Sequence, residues 1–317
     1  MKWGIMGLGH IAHEFADALS LRQGVYAAAS RDAEKARAFQ GKYGVSKAYG
    51  SYEEMLKDPE VEAVYIATVN ARHLGDIRSC LAHGKHVLCE KAIWGNYDEL
   101  QALCNEASSK GLVLAEAMTI YHMPIFAKIA QMIEAGELGR IKMVKADLGS
   151  LKEDDPSNRF FNPELGGGAM LDIGTYALSF LRYFLPTGFD EVRCVTQPYP
   201  TGVDEMWAIG VRTSEGQLGC ANLTFRAKLP KRAIVAGEKA YVTVDNYVRA
   251  EEATLVYPDG TSRQISCGAT SDALSYEIED FERAVSEGDI KAAHLEKTLD
   301  VVRTMDSLLR ENGYTAE

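Results

Sequence analysis

Short apolar runs alternate with helical patterns through the first third of the chain. The runs at 2–6, 25–30, 63–68, 86–90 and 112–116 lack strict apolar–polar alternation, as parallel strands buried on both faces do. Helical periodicity is predicted between them, near 11–20, 33–43, 74–83 and 97–110. Strands alternating with helices give βαβ units and a parallel sheet. The punctuation agrees: Asp32 and Asn96 stand where helix caps belong, the latter with Glu99 three residues on, and Gly84 and Gly111 follow helices.

The pattern changes near residue 120. A helix near 123–136 and a strand near 140–149 are followed by a loop from Lys152 to Gly168 and a helix over 169–184. Strands are then predicted in succession at 191–197, 205–213, 217–226, 232–237, 240–245, 252–257 and 261–266, separated by turns such as Pro258-Asp259-Gly260. Helices near 273–287 and 293–312 close the chain. The expected architecture is an α/β Rossmann domain with a parallel sheet, residues 1–120, followed by an α+β domain with a largely antiparallel sheet, residues 121–317.

Composition narrows the function. With 317 residues, 46% hydrophobic and 25% charged, the chain has the balance of a two-domain globular protein. A net charge of −11 lacks the basic face that nucleic acid requires. No apolar run is long enough to span a membrane, and Met1-Lys2-Trp3 runs into Gly4-Ile5-Met6 without the apolar segment of a signal peptide. Cys80, Cys89, Cys104, Cys194, Cys220 and Cys267 are scattered singly, as reduced thiols of a cytoplasmic protein are. The pairs His10/His13 and His83/His86 have no third ligand nearby in sequence, so no metal is expected.

Gly7-Leu8-Gly9-His10-Ile11-Ala12 is G-x-G-x-x-A placed directly after a strand and at the start of a helix. There the first glycine permits the turn, the second lets backbone approach a pyrophosphate, and the small Ala12 packs helix on strand. Ser30 holds the position at the end of the second strand where an acid would bind the ribose of NAD, and Arg31 follows. A hydroxyl and a guanidinium suit a 2′-phosphate, which favours NADP over NAD. Asp32 could also take the ribose role, although capping is its simpler one. Lys91 sits at the carboxyl end of the strand at 86–90, the end where open α/β sheets bind ligands.

A second constellation follows Gly166-Gly167-Gly168. Asp172 and Tyr176 lie four apart on an otherwise apolar helix, with Ser179 and Tyr183 continuing their stripe. A carboxylate and a phenol on such a helix need a partner or a cavity. The triple glycine would let backbone come close to a ligand or another chain. A structural Asp–Tyr pair in the core fits this helix equally well. Arg159, in the loop before it, is a solvated arginine or a ligand for a substrate oxygen. No G-x-S-x-G elbow points to acyl transfer.

Four motifs in order resemble the glucose-fructose oxidoreductase / inositol dehydrogenase / MocA family, especially its dihydrodiol dehydrogenase and xylose dehydrogenase-like branch. They are the Gly7-to-Ala12 turn, Asn70-Ala71-Arg72-His73, Glu90-Lys91-Ala92, and Gly167 to Tyr176; Glu116-Ala117-Met118 is similar too. The resemblance implies an open mixed sheet in the second domain and a homodimer or homotetramer formed through it. It implies hydride transfer between a nicotinamide and a sugar, polyol or cyclic diol carbon. Lys91, Asp172 and Tyr176 would be the catalytic group, with Tyr176 the acid–base, Lys91 depressing its pKa, and Asp172 orienting the substrate hydroxyl or Lys91. The dinucleotide would lie against Gly7, Leu8, Gly9, His10, Ile11, Ser30, Arg31, Thr68, Asn70, His73, Glu90 and Lys91. Tyr121 and His122 join Arg159 as substrate candidates. Two departures stand out: Ala92 replaces the proline of the usual Glu-Lys-Pro, and the Thr119–His122 stretch lacks the Trp and Arg expected in the dihydrodiol branch. Two other functions suit the same scaffold: a redox-assisted glycosidase or eliminating enzyme with tightly bound NAD, and a non-catalytic NADP sensor.

Overall fold

A computed structural model describes residues 1–314. They divide into two compact units, Met1–Ala117 with Leu274–Leu295, and Met118–Ala273 with the segment from Glu296 onward. The first break falls close to the expected 120/121 boundary. The return of Leu274–Leu295 to the first unit departs from a contiguous division.

The first unit carries strands β1 (Trp3–Met6), β2 (Ala27–Ala29), β3 (Lys47–Tyr49), β4 (Ala63–Ile66), β5 (His86–Glu90) and β6 (Leu114–Ala117). They form one parallel sheet in the order β3-β2-β1-β4-β5-β6, the doubly wound arrangement. Helices α1 (His10–Ser20), α2 (Ala33–Tyr43), α3 (Tyr52–Leu56), α4 (His73–Ala82) and α5 (Tyr97–Ser109) connect them. The central β1 and β4 are buried along their whole length, which is why their sequences read as continuous apolar runs. β3 and α3 are absent from the sequence-based reading. β3 is a three-residue edge strand without a buried residue, so its composition carries no apolar run.

The returning helix, Ala273–Ser286, belongs with this sheet for a packing reason. The Phe281 ring packs tilted against Trp3 with centroids 5.1 Å apart, and the Trp3 Nε1–H donates to Glu282 at 3.0 Å. Ile278, Phe281 and Ala284 complete the apolar core that holds Trp3, Ile5 and Phe15.

The second unit opens with α6 (Pro124–Glu134), with proline in its first turn, where no backbone N–H is missed. Then come β7 (Ile141–Gly149), α7 (Thr175–Phe184), β8 (Glu191–Pro198), β9 (Asp204–Arg212), β10 (Leu218–Thr224), β11 (Leu229–Gly237), β12 (Tyr241–Asp245), β13 (Glu252–Val256) and β14 (Ser262–Ser266). All eight strands join one sheet, ordered β14-β13-β12-β11-β7-β10-β9-β8, in which only β7 and β10 pair in parallel. Trp207, Ile209 and Val211 of β9 are buried while Ala208, Gly210 and Arg212 between them are exposed. That period of two marks a sheet covered on one face. The expected open, largely antiparallel mixed sheet is the one observed. The C-terminal helix, Leu295–Glu311, is tied to α7 through Arg182, whose Nε donates to Asp300 at 2.6 Å.

No helix among the described residues is long and apolar enough to cross a membrane, and the six cysteines are free thiols.

Candidate functional site

The turn between β1 and α1 separates its two glycines by role. Gly7 has φ 88°, and a Cβ there would stand 2.9 Å from the Ala67 carbonyl, so the fold itself demands glycine. Gly9 has φ −79°, open to any residue, and a Cβ there would meet nothing of the chain within 4 Å. The fold does not require that glycine. Ala12 is fully buried against the sheet. Three other helices begin with a side-chain cap: Asp32 on α2, Ser51 on α3 and Asn96 on α5. The start of α1 has none, which leaves its first N–H groups for an incoming anion. Leu8 packs into the core, so only its backbone faces this turn, while the His10 side chain is exposed and pairs with Glu14 at 3.2 Å. These features fit a dinucleotide pyrophosphate.

At the end of β2, Ser30 is buried and its Oγ accepts from the Asp32 N–H at 3.1 Å. One Asp32 carboxylate oxygen accepts from the Glu34 and Lys35 N–H groups at 2.9 and 3.2 Å. Asp32 is therefore a helix cap, and the ribose role open to it in the sequence is set aside. Arg31 is exposed beside them.

Lys91 is partly exposed at the carboxyl end of β5, and the residues around it are held firmly. Glu90 accepts from the Tyr65 hydroxyl and from the Lys91 N–H. Ile93 N–H donates to the buried Glu116 at 3.0 Å. The Lys91–Ala92 peptide is cis although alanine replaces the family proline. His73 was expected against the cofactor, but the structure buries it completely. Its Nδ1 lies 2.9 Å from the Ala92 carbonyl and its Nε2 3.1 Å from the Thr68 carbonyl. Burial lowers its pKa, and the two carbonyls oppose that. His73 thus pins the loop after β4 to the loop carrying Lys91. The Thr68 hydroxyl donates to Asp76 at 2.7 Å, and Asn70 is partly exposed in the short turn before α4.

In the second unit the helix with the Asp–Tyr stripe begins with a wider π turn over Met170–Gly174, where the Thr175 N–H bonds the carbonyl five residues back. A uniform α-helix from 169 is not what forms. Asp172 and Tyr176 stay on one side, and from Gly168 to Arg182 they alone are not buried. Ser179, expected on the same stripe, is buried and takes a hydrogen bond of 3.1 Å with the Tyr121 hydroxyl. Tyr121 and His122 are buried as well. Arg159 is exposed, its guanidinium 4.4 Å from the Phe160 ring.

The triple glycine also has an internal cause. A Cβ on Gly167 would lie 2.8 Å from the Phe160 and Asn162 carbonyls. On Gly168, at φ 115°, it would strike the Asp204 carboxylate. Asp204 is buried and accepts from the Met170 N–H and the Trp207 indole, both at 2.6 Å. Burial pushes its pKa up to about 6 against the pull of those donors. The close approach expected of a ligand or another chain is made by the chain itself.

One residue of this surface escaped the sequence reading. Lys152 places its ammonium 3.4 Å from Asp172 and 3.5 Å from the Phe160 ring centre. In sequence it precedes Glu153-Asp154-Asp155 and reads as part of a solvated charge run.

A family model described as an oxidoreductase family with an NAD-binding Rossmann fold matches residues 1–118, and the GFO/IDH/MocA C-terminal domain matches residues 126–243. The chain belongs to the GFO/IDH/MocA oxidoreductase family. It is 30% identical to the trans-1,2-dihydrobenzene-1,2-diol dehydrogenase of Xenopus tropicalis across 99% of this chain and 98% of that one. To the enzyme of the same name from Mus musculus it is 33% identical over 77% of this chain and 74% of that one. These relatives agree with the dihydrodiol dehydrogenase branch. Among solved structures, the 3-ketoreductase KijD10 from Actinomadura kijaniata, in complex with TDP-benzene and NADP, superposes with TM-score 0.83 at 23% identity, covering 96% of each chain. An aldose-aldose oxidoreductase from Caulobacter crescentus gives TM-score 0.86 at 20% identity, covering 98% of this chain and 96% of that one. At such identities the likeness speaks for the fold alone. The chain is accordingly an oxidoreductase with an NAD-binding Rossmann domain, and the family acts on hydroxyl-bearing carbons.

Proposed function

We propose that this enzyme is an NADP-dependent dehydrogenase or reductase of a sugar, polyol or cyclic diol, with Lys91, Asp172 and Tyr176 as its catalytic residues. The observation that carries the reading is that Asp172 and Tyr176 alone are partly exposed on a stretch that is otherwise buried. A carboxylate and a phenol kept at the surface of an apolar helix are arranged for a polar visitor. A buried Ser30 at the end of β2, with one oxygen of Asp32 engaged as a cap and Arg31 exposed, supports NADP over NAD. The NADP bound to KijD10 and the cyclic diol in the relatives' names point the same way.

The nicotinamide supplies or accepts the hydride when bound. Tyr176 takes the hydroxyl proton in oxidation and returns it in reduction. Lys91 contributes a positive charge that stabilises alkoxide developing on the substrate. Asp172, steadied by Lys152, accepts a hydrogen bond from a substrate hydroxyl and sets its orientation.

The test is to incubate the purified protein with NADP or NADPH, a panel of aldoses and polyols, and trans-1,2-dihydrobenzene-1,2-diol. Reduced nicotinamide is followed by its near-ultraviolet absorbance. Net cofactor turnover on at least one of these compounds is expected, and Lys91→Ala and Tyr176→Phe are each expected to lower it by about 10²–10⁴-fold. Product without net change in cofactor would contradict a simple dehydrogenase. Unchanged turnover in both variants would overturn the catalytic assignment.

A further inference from the structure

The turns that follow β2, β3 and β4 bring Arg31, Tyr52 and Arg72 together within the first unit. Tyr52 opens α3 just past the end of β3, and β3 pairs in parallel with β2 at Tyr49 and Ala29, two residues before Arg31. The Arg72 guanidinium lies 5.6 Å from the centre of the Tyr52 ring. Arg72 is not a loose surface side chain. Its Nη2 and Nε donate to Asp76 at 2.7 and 3.3 Å, and the buried Asp76 is fixed in turn by the Thr68 hydroxyl. That pairing occupies one edge of the guanidinium and leaves the other N–H groups on a side chain that is 40% exposed.

Arg31 and Arg72 carry like charges that both act on this phenol, and Asp76, paired with Arg72, balances only one of them. An ordinary i,i+4 ion pair on a helix surface explains the Arg72–Asp76 contact. It does not explain why that pair sits on Tyr52 beside a second arginine. Burial raises the Tyr52 pKa and Asp76 adds to the rise, while Arg31 and Arg72 both oppose it, so both charges are felt at its hydroxyl. The ligand chemistry that fits is a doubly charged, multi-oxygen anion able to accept from two planar forks.

We propose that Arg72 is the second arginine of the adenosine 2′-phosphate pocket, acting with Arg31 beside Tyr52. The inference rests on the NADP reading and extends it to a residue from the turn after β4. Arg72 then determines cofactor choice without touching the reacting carbon.

The test measures binding of 2′,5′-ADP and of 5′-ADP to the full chain by calorimetry. The wild type is expected to prefer 2′,5′-ADP. Arg72→Gln is expected to weaken 2′,5′-ADP by about tenfold to a hundredfold, the loss of a charge-assisted contact, while 5′-ADP stays within about twofold and reports that the protein is folded. Arg72→Lys, which keeps a charge that can pair with Asp76, is expected to retain part of the preference and stands in should the glutamine variant not fold. Equal losses on both nucleotides would overturn the inference, because Arg72 would then hold adenine or the fold. If Arg31→Ala removes the preference and neither Arg72 variant alters it, the NADP reading survives and the inference on Arg72 fails. A wild type without preference for 2′,5′-ADP would sink both.

Discussion

The two glycine-rich turns look alike in sequence and differ in cause. In Gly7-Leu8-Gly9 the first glycine is required by the approach of Ala67, but a Cβ on the second would meet nothing within 4 Å. In Gly166-Gly167-Gly168 the last two are each hemmed in by the chain itself, by the Phe160 and Asn162 carbonyls and by Asp204. A glycine that packing demands explains itself. A glycine that packing does not demand, at the uncapped start of a helix, points to a molecule that arrives from outside. The same logic separates the polar residues. His73 and Tyr121 are held by partners in the core, whereas Asp172 and Tyr176 are partly exposed, with Lys152 beside Asp172.

The comparison breaks most easily at Gly168. Alanine there must hold φ near 115° and place a methyl against the buried Asp204. Backbone strain and overpacking together are expected to destabilise the protein by about 3–5 kcal/mol, measured by denaturant unfolding of Gly168→Ala. A loss under about 1 kcal/mol would show that the second turn is not internally constrained.

A somewhat smaller effect follows from Asp204 itself. Its pKa is raised from 3.8 to about 6 in the folded state, chiefly by burial. The folded protein therefore holds a proton that the unfolded chain releases. The stabilisation this brings is fully present below pH 3.8 and is lost as the pH rises through about 6. Wild type is thus expected to lose about 2–2.5 kcal/mol relative to Asp204→Asn between pH 4 and pH 7. A stability difference that does not change with pH would contradict a buried, titrating carboxyl behind the triple glycine.

Much of the first unit was legible because its signals are local. The Gly7-to-Ala12 turn, the Asp32 and Asn96 caps and the apolar runs of β1, β4 and β5 each depend on residues adjacent in sequence. What was not legible depends on partners far along the chain. The helix over Ala273–Ser286 belongs to the first unit because Phe281 meets Trp3, a contact that neither stretch announces. Lys152 enters the candidate site through Asp172, twenty residues on, and Phe160. Gly166-Gly167-Gly168 was read as room for a visitor because sequence shows that space is needed and not what fills it. His73 and Tyr121 were read as ligand contacts for a related reason. A polar side chain satisfied by backbone or by another hydroxyl is written in the same letters as one awaiting a substrate.

The most direct measurement pairs nucleotide affinity with stability in Gly9→Ala. Alanine at this N-cap position before α1 fits the backbone and meets no neighbour, so the midpoint of thermal unfolding without ligand is expected to move by no more than about 2 °C. The same methyl lies where a pyrophosphate would approach, and the Kd for NADPH is expected to rise by about tenfold or more. An unchanged Kd, or a fall in thermal stability as large as that of Gly168→Ala, would contradict the claim that this turn is shaped for a bound dinucleotide.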